Sequence, residues 1–161
     1  MNKDYSIQLF DEKNLDDVVK INWTCLPENY NNSFFLNLFH HYPKIFVVAN
    51  QAEKGVVGYI MGRIETGFSS FKRFFLTRRG HIVSIAVLPE NRSKGVASSL
   101  LEKALEGFRV YKVSEIFLEV RESNKIAINL YQKFGFKISR HVKGYYKDGE
   151  TSCVMTRVAT T

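Results

Sequence analysis

The chain has 161 residues, 45% of them apolar, and its 23 Lys and Arg against 16 Asp and Glu give a net charge of +7. That length and apolar content suit one folded domain, expected over residues 1–161, and no apolar run nears the roughly 20 residues that cross a bilayer. Two distant cysteines, Cys25 and Cys153, form no CxxC pair, so neither a disulfide framework nor a cysteine zinc site is expected.

The opening "MNKDYSIQLF" lacks the long apolar core of a signal peptide, so a cytoplasmic chain with no membrane partner is expected. Its second half, Tyr5–Phe10, reads as a first strand. Leu15, Val18, Val19 and Trp23 follow at helical spacing. After a polar break, "LPENYNNS", the segment "SFFLNLFHHY" reads as a short helix ended by Pro43, with Phe34, Phe35, Leu38 and Phe39 as core. "IFVVAN" and "GVVGYIMGRIE" pair as strands about a turn near Ala52–Gly55. The stretch Thr66–Gly80 fits no element and reads as a long loop, a kind of segment that is usually functional or mobile. "HIVSIAVL", begun by His81, is a central strand with little polarity on either face. A helix from about Val96 carries Leu100, Leu101, Ala104, Leu105 and Phe108 on one face. "EIFLEV" is another buried-type strand. "SNKIAINLYQKFGF" is a helix capped at Ser123 or Asn124 and ended at Gly135, with Ile126, Ala127, Leu130 and Tyr131 on its apolar face. "KISRHV" and "TSCVMTRV" close the chain as strands around a "YYKDGE" turn. Two strand–helix–strand passages in this order predict an α/β sheet with helices on both faces.

The stretch "VLPENRSKGVASSLLEKAL" carries the most chemistry. A helix start exposes unpaired N–H groups and the positive end of its dipole, and small residues there let a phosphate approach the backbone. Arg92 and Lys94 add charge and Ser93 a hydroxyl, so Arg92-x-x-Gly95-x-Ala97 between a strand and a helix reads as a pyrophosphate cradle. No G-x-x-x-x-G-K-[ST] occurs, and no G-x-G-x-x-G follows the first strand, which sets aside a P-loop and a dinucleotide site.

These residues resemble a known family. "SIAVLPENRSKGVASSLL" is similar to the motif by which GCN5-related N-acetyltransferases (GNAT) bind the pyrophosphate of acetyl-coenzyme A, and "LEVRESNKIAINLYQKFGFK" resembles their next motif. "LPENY" and "YYKDGETS" are similar to segments of the archaeal and eukaryotic NatA catalytic type, which acetylates protein N-termini. The resemblance runs from about Tyr5 to Val158. It implies the GNAT fold: a single mixed, mostly antiparallel central sheet in an α/β chain, with helices on both faces. It also implies acetyl-CoA as cosubstrate and transfer to the α-amino group by direct attack in a ternary complex.

The resemblance implies roles as well. The backbone of Ile85, Ala86 and Val87 is expected to bond the pantetheine arm. The backbone of Ser93, Lys94, Gly95, Val96, Ala97 and Ser98 is expected to hold the pyrophosphate, with Arg92 beside it. Asn124 would contact the coenzyme, and Tyr131 would donate to the leaving thiolate. Leu26, Pro27, Glu28 and Tyr30 would form one wall of a peptide groove, and Tyr145 and Tyr146 the other.

Direct transfer needs a neutral amine, and an α-amino group titrates near about 8, so a modest base suffices. His81 and Glu119 stand out in otherwise apolar strands, expected to be adjacent, and an imidazole suits proton transfer near neutral pH. Glu28 is a third candidate, and which of the three is the principal base stays open. A His/Glu pair gives only two ligands, so no metal is expected. In Thr66–Gly80, Phe68, Phe71, Phe74 and Phe75 interleave with Lys72, Arg73, Arg78 and Arg79. A substrate-side lid or an oligomer contact is expected there ahead of nucleic-acid binding. Protein N-termini are the expected partners, with ribosome or auxiliary-subunit association left open. The rival readings are a lysine or small-amine acetyltransferase of the same fold, and a non-catalytic coenzyme-binding or RNA-associated protein.

Overall fold

The computed structural model describes residues 4–159. The first three residues of the opening segment, and the last two of the expected domain span, lie outside them. Seven strands form one mixed sheet: β1 (Ser6–Leu9), β2 (Val47–Gln51), β3 (Gly55–Phe68), β4 (Leu76–Val87), β5 (Glu115–Arg121), β6 (Lys137–Val142) and β7 (Ser152–Val158). Their order across the sheet is β1-β2-β3-β4-β5-β7-β6. Four α-helices join them: α1 (Leu15–Cys25), α2 (Asn32–His41), α3 (Val96–Val110) and α4 (Lys125–Lys133). The element order is the one expected, with β4 in the middle of the sheet. No helix of the described residues is long and apolar enough to cross a membrane.

Packing divides the chain into two compact units: residues up to Arg63 with Val83–Tyr111, and Ile64–Ile82 with residues from Lys112 onward. In the first unit, β1, β2 and β3 pair antiparallel. Phe10, Ile21, Phe35, Phe46, Tyr59 and Met61 lead its core, and the rings of Phe10 and Phe46 stack at 4.0 Å. Asn31 caps α2, its Oδ1 accepting from the Phe34 N–H at 2.9 Å. Helix α3 lies so close to the turn at Pro43–Ile45 that a Cβ on Gly107 would stand 2.0 Å from the Lys44 carbonyl oxygen. Only glycine fits there.

In the second unit, β4 runs parallel to β5 over Arg79↔Glu115, Gly80↔Ile116 and His81↔Phe117, and β7 lies antiparallel between β5 and β6. Asn124 caps α4, its Oδ1 accepting from the Ala127 N–H at 3.1 Å, and Gly135 (φ 83°) ends the helix.

Four expectations are corrected. Thr66–Gly80 is not a long loop: β3 continues to Phe68 and β4 begins at Leu76, which leaves a tip at residues 69–75. His81 accordingly sits in mid-strand rather than at a strand start. Trp23 is 65% exposed, because α1 turns Val18, Ile21 and Asn22 inward instead. Ile126 is 86% exposed, and Ile128 with Tyr131 forms the buried stripe of α4.

Candidate active site

The first unit holds the residues expected to form the coenzyme cradle. β4 ends at Val87, a short turn follows at Pro89–Asn91, and Gly95 caps α3 in the left-handed region (φ 80°). Ser93 also has a positive φ, 59°. Two left-handed residues so close together bend the chain sharply into the helix. No side chain caps α3, so its first N–H groups keep their free donors. A Cβ at Gly95 would meet only the Tyr5 hydroxyl, at 3.4 Å, and that hydroxyl also bonds Ser99 Oγ at 3.0 Å. Arg92 donates Nε–H to the Val87 carbonyl at 2.9 Å, so it braces the strand end. An uncapped helix start, a bare glycine and flanking cations fit a diphosphate. The strand edge expected to bind the pantetheine arm, Ile85–Val87, lies beyond the last rung that β4 shares with β5, His81↔Phe117.

The same unit carries the "LPENY" loop. Leu26 is half-buried, Pro27 and Glu28 are exposed, and the Tyr30 ring stacks on Phe34 at 4.5 Å. The loop is held by a residue not singled out in the sequence. Asn22 is fully buried on α1 and donates Nδ2–H to the Glu28 carbonyl (3.2 Å) and to the Tyr59 hydroxyl (3.0 Å). Its Oδ1 accepts from the Tyr30 N–H at 3.3 Å. Tyr59 in turn shares a 2.8 Å hydrogen bond with Ser84, one residue before Ile85. Burial pushes the Tyr59 phenol up to about 12, so it remains a donor at any physiological pH. The available signal was Asn22 itself, four residues after Val18 on the apolar stripe of α1.

The second unit brings His81 and Glu119 together. His81 Nε2 lies 2.6 Å from Glu119 Oε2, and the two side chains are only 12% and 20% exposed. The imidazole lies flat on Phe117 (centroids 4.4 Å, planes 6° apart), which fixes its plane. His81 Nδ1 faces a second carboxylate, Glu65 Oε2, at 3.4 Å. Glu65 was read as a strand residue without a role. Just behind, Arg79 Nε lies 2.6 Å from Glu115 Oε1, and the buried Glu115 also accepts from Ser69 Oγ and the Ser70 N–H at 2.9 Å. This ion pair roots the β3–β4 tip.

Tyr131 is 5% exposed, packs edge-on to Phe136 and has its phenol held well above the usual range by burial, with Tyr146 adding to the effect. Asn124, expected to touch the coenzyme, spends Oδ1 on capping α4 and has its amide left over for a ligand. Tyr145 and Tyr146 meet edge to face at 5.0 Å. The Arg121 guanidinium lies 4.0 Å from the Tyr146 centroid and donates to Asp148 Oδ2 (2.7 Å) and Glu150 Oε2 (2.8 Å). Hydrogen bonds from Ser123 and then Arg121 hold the Glu150 carboxyl down at about 2. The Glu150 N–H, and next Arg121, lower that of Asp148.

Residues 15–136 match the acetyltransferase (GNAT) family, and the chain belongs to it. An N-alpha-acetyltransferase of Saccharolobus solfataricus is 46% identical over 157 residues, which cover 96% of this chain and 93% of that one. The crystal structure of Ard1 from Thermoplasma volcanium superposes with a TM-score of 0.83 at 31% identity, covering 98% of this chain and 99% of that one. Arabidopsis thaliana Naa50, solved with the bisubstrate analogue CoA-Ac-MVNAL, gives 0.78 at 26% identity, covering 96% and 98%. Within the family the chain is of the archaeal Ard1 type.

Proposed function

We propose that the enzyme works through the His81–Glu119 pair, with acetyl-CoA as cosubstrate and the α-amino group of a protein N-terminus as acceptor. Acetyl-CoA supplies an activated acetyl thioester, which the neutral amine attacks directly. This chain's residues bind, orient and move a proton. Gly95 and the first N–H groups of α3 take the diphosphate, with Arg92 and Lys94 supplying charge. The edge of β4 at Ile85, Ala86 and Val87 takes the extended arm. Tyr131, kept neutral by burial, is a proton donor for the departing thiolate. Leu26, Pro27, Glu28 and Tyr30 are candidate contacts for the peptide in the first unit, and Tyr145 and Tyr146 are candidate contacts in the second.

The observation that carries the reading is the 2.6 Å His81–Glu119 contact at the last shared rung of β4 and β5. A hydrogen-bonded imidazole and carboxylate, screened from water, form a base that holds one proton between two sites. Glu65 Oε2 stands 3.4 Å beyond Nδ1, so a second carboxylate borders the imidazole on the side away from Glu119. Glu28 is exposed on its loop, whereas His81 and Glu119 are largely screened from water. A cytoplasmic location, and work on nascent chains with or without an auxiliary subunit, go with this reading.

The test is kinetic. His81→Ala and Glu119→Ala are each expected to lower kcat by about 10²–10⁴, with acetyl-CoA affinity held within about twofold. The loss should shrink as pH rises past about 8, where the amine is neutral unaided. Wild-type kcat in both variants at pH 7 would place the base elsewhere, with Glu28 next to be tried.

A further inference from the structure

Outside the residues given a role above, two adjacent strands and the turn that ends a third bring three metal-ligand side chains to one point. His141 on β6 faces Cys153 on β7 as its register partner. Cys153 also pairs with Val120 on β5, and Glu122 lies two residues further along, in the turn just past the strand's end. His141 Nδ1 lies 3.1 Å from Glu122 Oε1 and 3.6 Å from Cys153 Sγ, and all three atoms lie within 4.8 Å of one another. From the sequence no cysteine zinc site was expected, because Cys25 and Cys153 form no CxxC pair. The fold unites residues distant in sequence.

We propose that Glu122, His141 and Cys153 bind a divalent ion of the zinc type. Bonds of about 2.3 Å to sulfur and 2.0 Å to nitrogen and oxygen, at tetrahedral angles, separate ligand atoms by about 3.3–3.6 Å. The nitrogen–oxygen and nitrogen–sulfur spacings here already stand near those values. His81 shows the contrasting arrangement. Its two ring nitrogens face two different carboxylates, as suits a proton path, whereas a single nitrogen of His141 faces both neighbours, as suits a shared ion. A thiolate, a carboxylate and a neutral imidazole balance a +2 charge. A soft sulfur beside imidazole selects zinc over magnesium or calcium. On binding, the ion replaces the Cys153 thiol proton, which leaves to solvent. Cys153 is buried but His141 and Glu122 are about half exposed, so the ion has an entry path and a fourth position for water.

The whole chain, stripped with a chelator, is titrated with Co²⁺ and then Zn²⁺. One Co²⁺ per chain is expected, with a near-ultraviolet thiolate-to-cobalt band that Zn²⁺ abolishes. The band should persist in Cys25→Ser, which removes the other cysteine, and vanish in Cys153→Ser. Cys153 is buried and its variant is open to misfolding, so His141→Asn at an exposed position gives an independent arm, with at least about tenfold weaker Zn²⁺ binding expected. Zn²⁺ should raise the thermal midpoint of the wild type and not that of His141→Asn. No cobalt band, a band lost with Cys25, or a His141→Asn variant that binds and is stabilised like the wild type overturns the proposal.

Discussion

Asn22→Ala tests whether a single buried amide holds the Leu26–Tyr30 loop, the proposed peptide-binding segment. The side chain makes bonds to the Tyr59 hydroxyl (3.0 Å), the Glu28 carbonyl (3.2 Å), the Tyr30 N–H (3.3 Å) and the Asn29 amide (3.4 Å). A buried hydrogen bond is worth about 1 kcal/mol net, and a buried group left unpaired costs about 1–3 kcal/mol. The two shorter bonds should dominate, and water reaches Glu28 and Asn29 on the exposed side of the loop. Tyr59 keeps Ser84 as a partner. Adding these terms gives a loss of about 2–4 kcal/mol. Because the freed atoms lie in the Leu26–Tyr30 loop, KM for the peptide should rise about tenfold or more while KM for acetyl-CoA stays within about twofold, tenfold being about 1.4 kcal/mol of binding. Urea denaturation followed by circular dichroism measures the first quantity and steady-state kinetics the second. A variant destabilised as expected but with unchanged peptide KM would refute the link between this network and the peptide loop. A variant of unchanged stability would refute the energetic argument itself.

Gly95→Glu should abolish measurable acetyl-CoA binding by calorimetry, through bulk and like charge. Gly95→Ala carries the same left-handed strain, about 1–2 kcal/mol, without the charge, and should bind more tightly than the glutamate. Glu115→Ala removes one partner of a buried ion pair, leaves the Arg79 Nε and the Ser70 N–H without their carboxylate, and should cost about 3–5 kcal/mol in denaturant unfolding. At alkaline pH the sign follows from Tyr59. Its folded value is raised from an ordinary value of about 10 to about 12, so the stability it contributes is complete below pH 10 and falls between 10 and 12. Tyr131 is shifted the same way by burial. The urea midpoint should therefore drop from pH 9.5 to about 11.5, and a flat midpoint would contradict the burial of both phenols.

The turn into α3 at Gly95 was legible because its signals are local: a glycine, small residues and cations between an apolar strand and an amphipathic helix. The meeting of His81 with Glu119 was legible because polar residues in buried strands have few places to go once strand order is fixed. Trp23 misled because a large aromatic dominates an apolar stripe, while the helix turns to satisfy the amide of Asn22. The β3–β4 hairpin was misread for a similar reason. Its tip leaves Phe68, Phe71, Phe74 and Phe75 exposed and buries Arg79 against Glu115, the reverse of ordinary patterning. Glu65 and the Glu122–His141–Cys153 cluster were hidden because their partners lie on other strands at separations no motif records.

The central claim is that the acceptor is the α-amino nitrogen. It is tested most directly by offering the enzyme acetyl-CoA with a library of peptides bearing free N-termini and internal lysines, alongside the same peptides blocked at the N-terminus, and locating the acetylated nitrogen by mass spectrometry. Acetyl on the α-nitrogen of the free peptides, with little on the blocked ones, is the expected result. Faster acetylation of internal lysines in the blocked peptides would contradict it and make the enzyme a lysine acetyltransferase of the same fold.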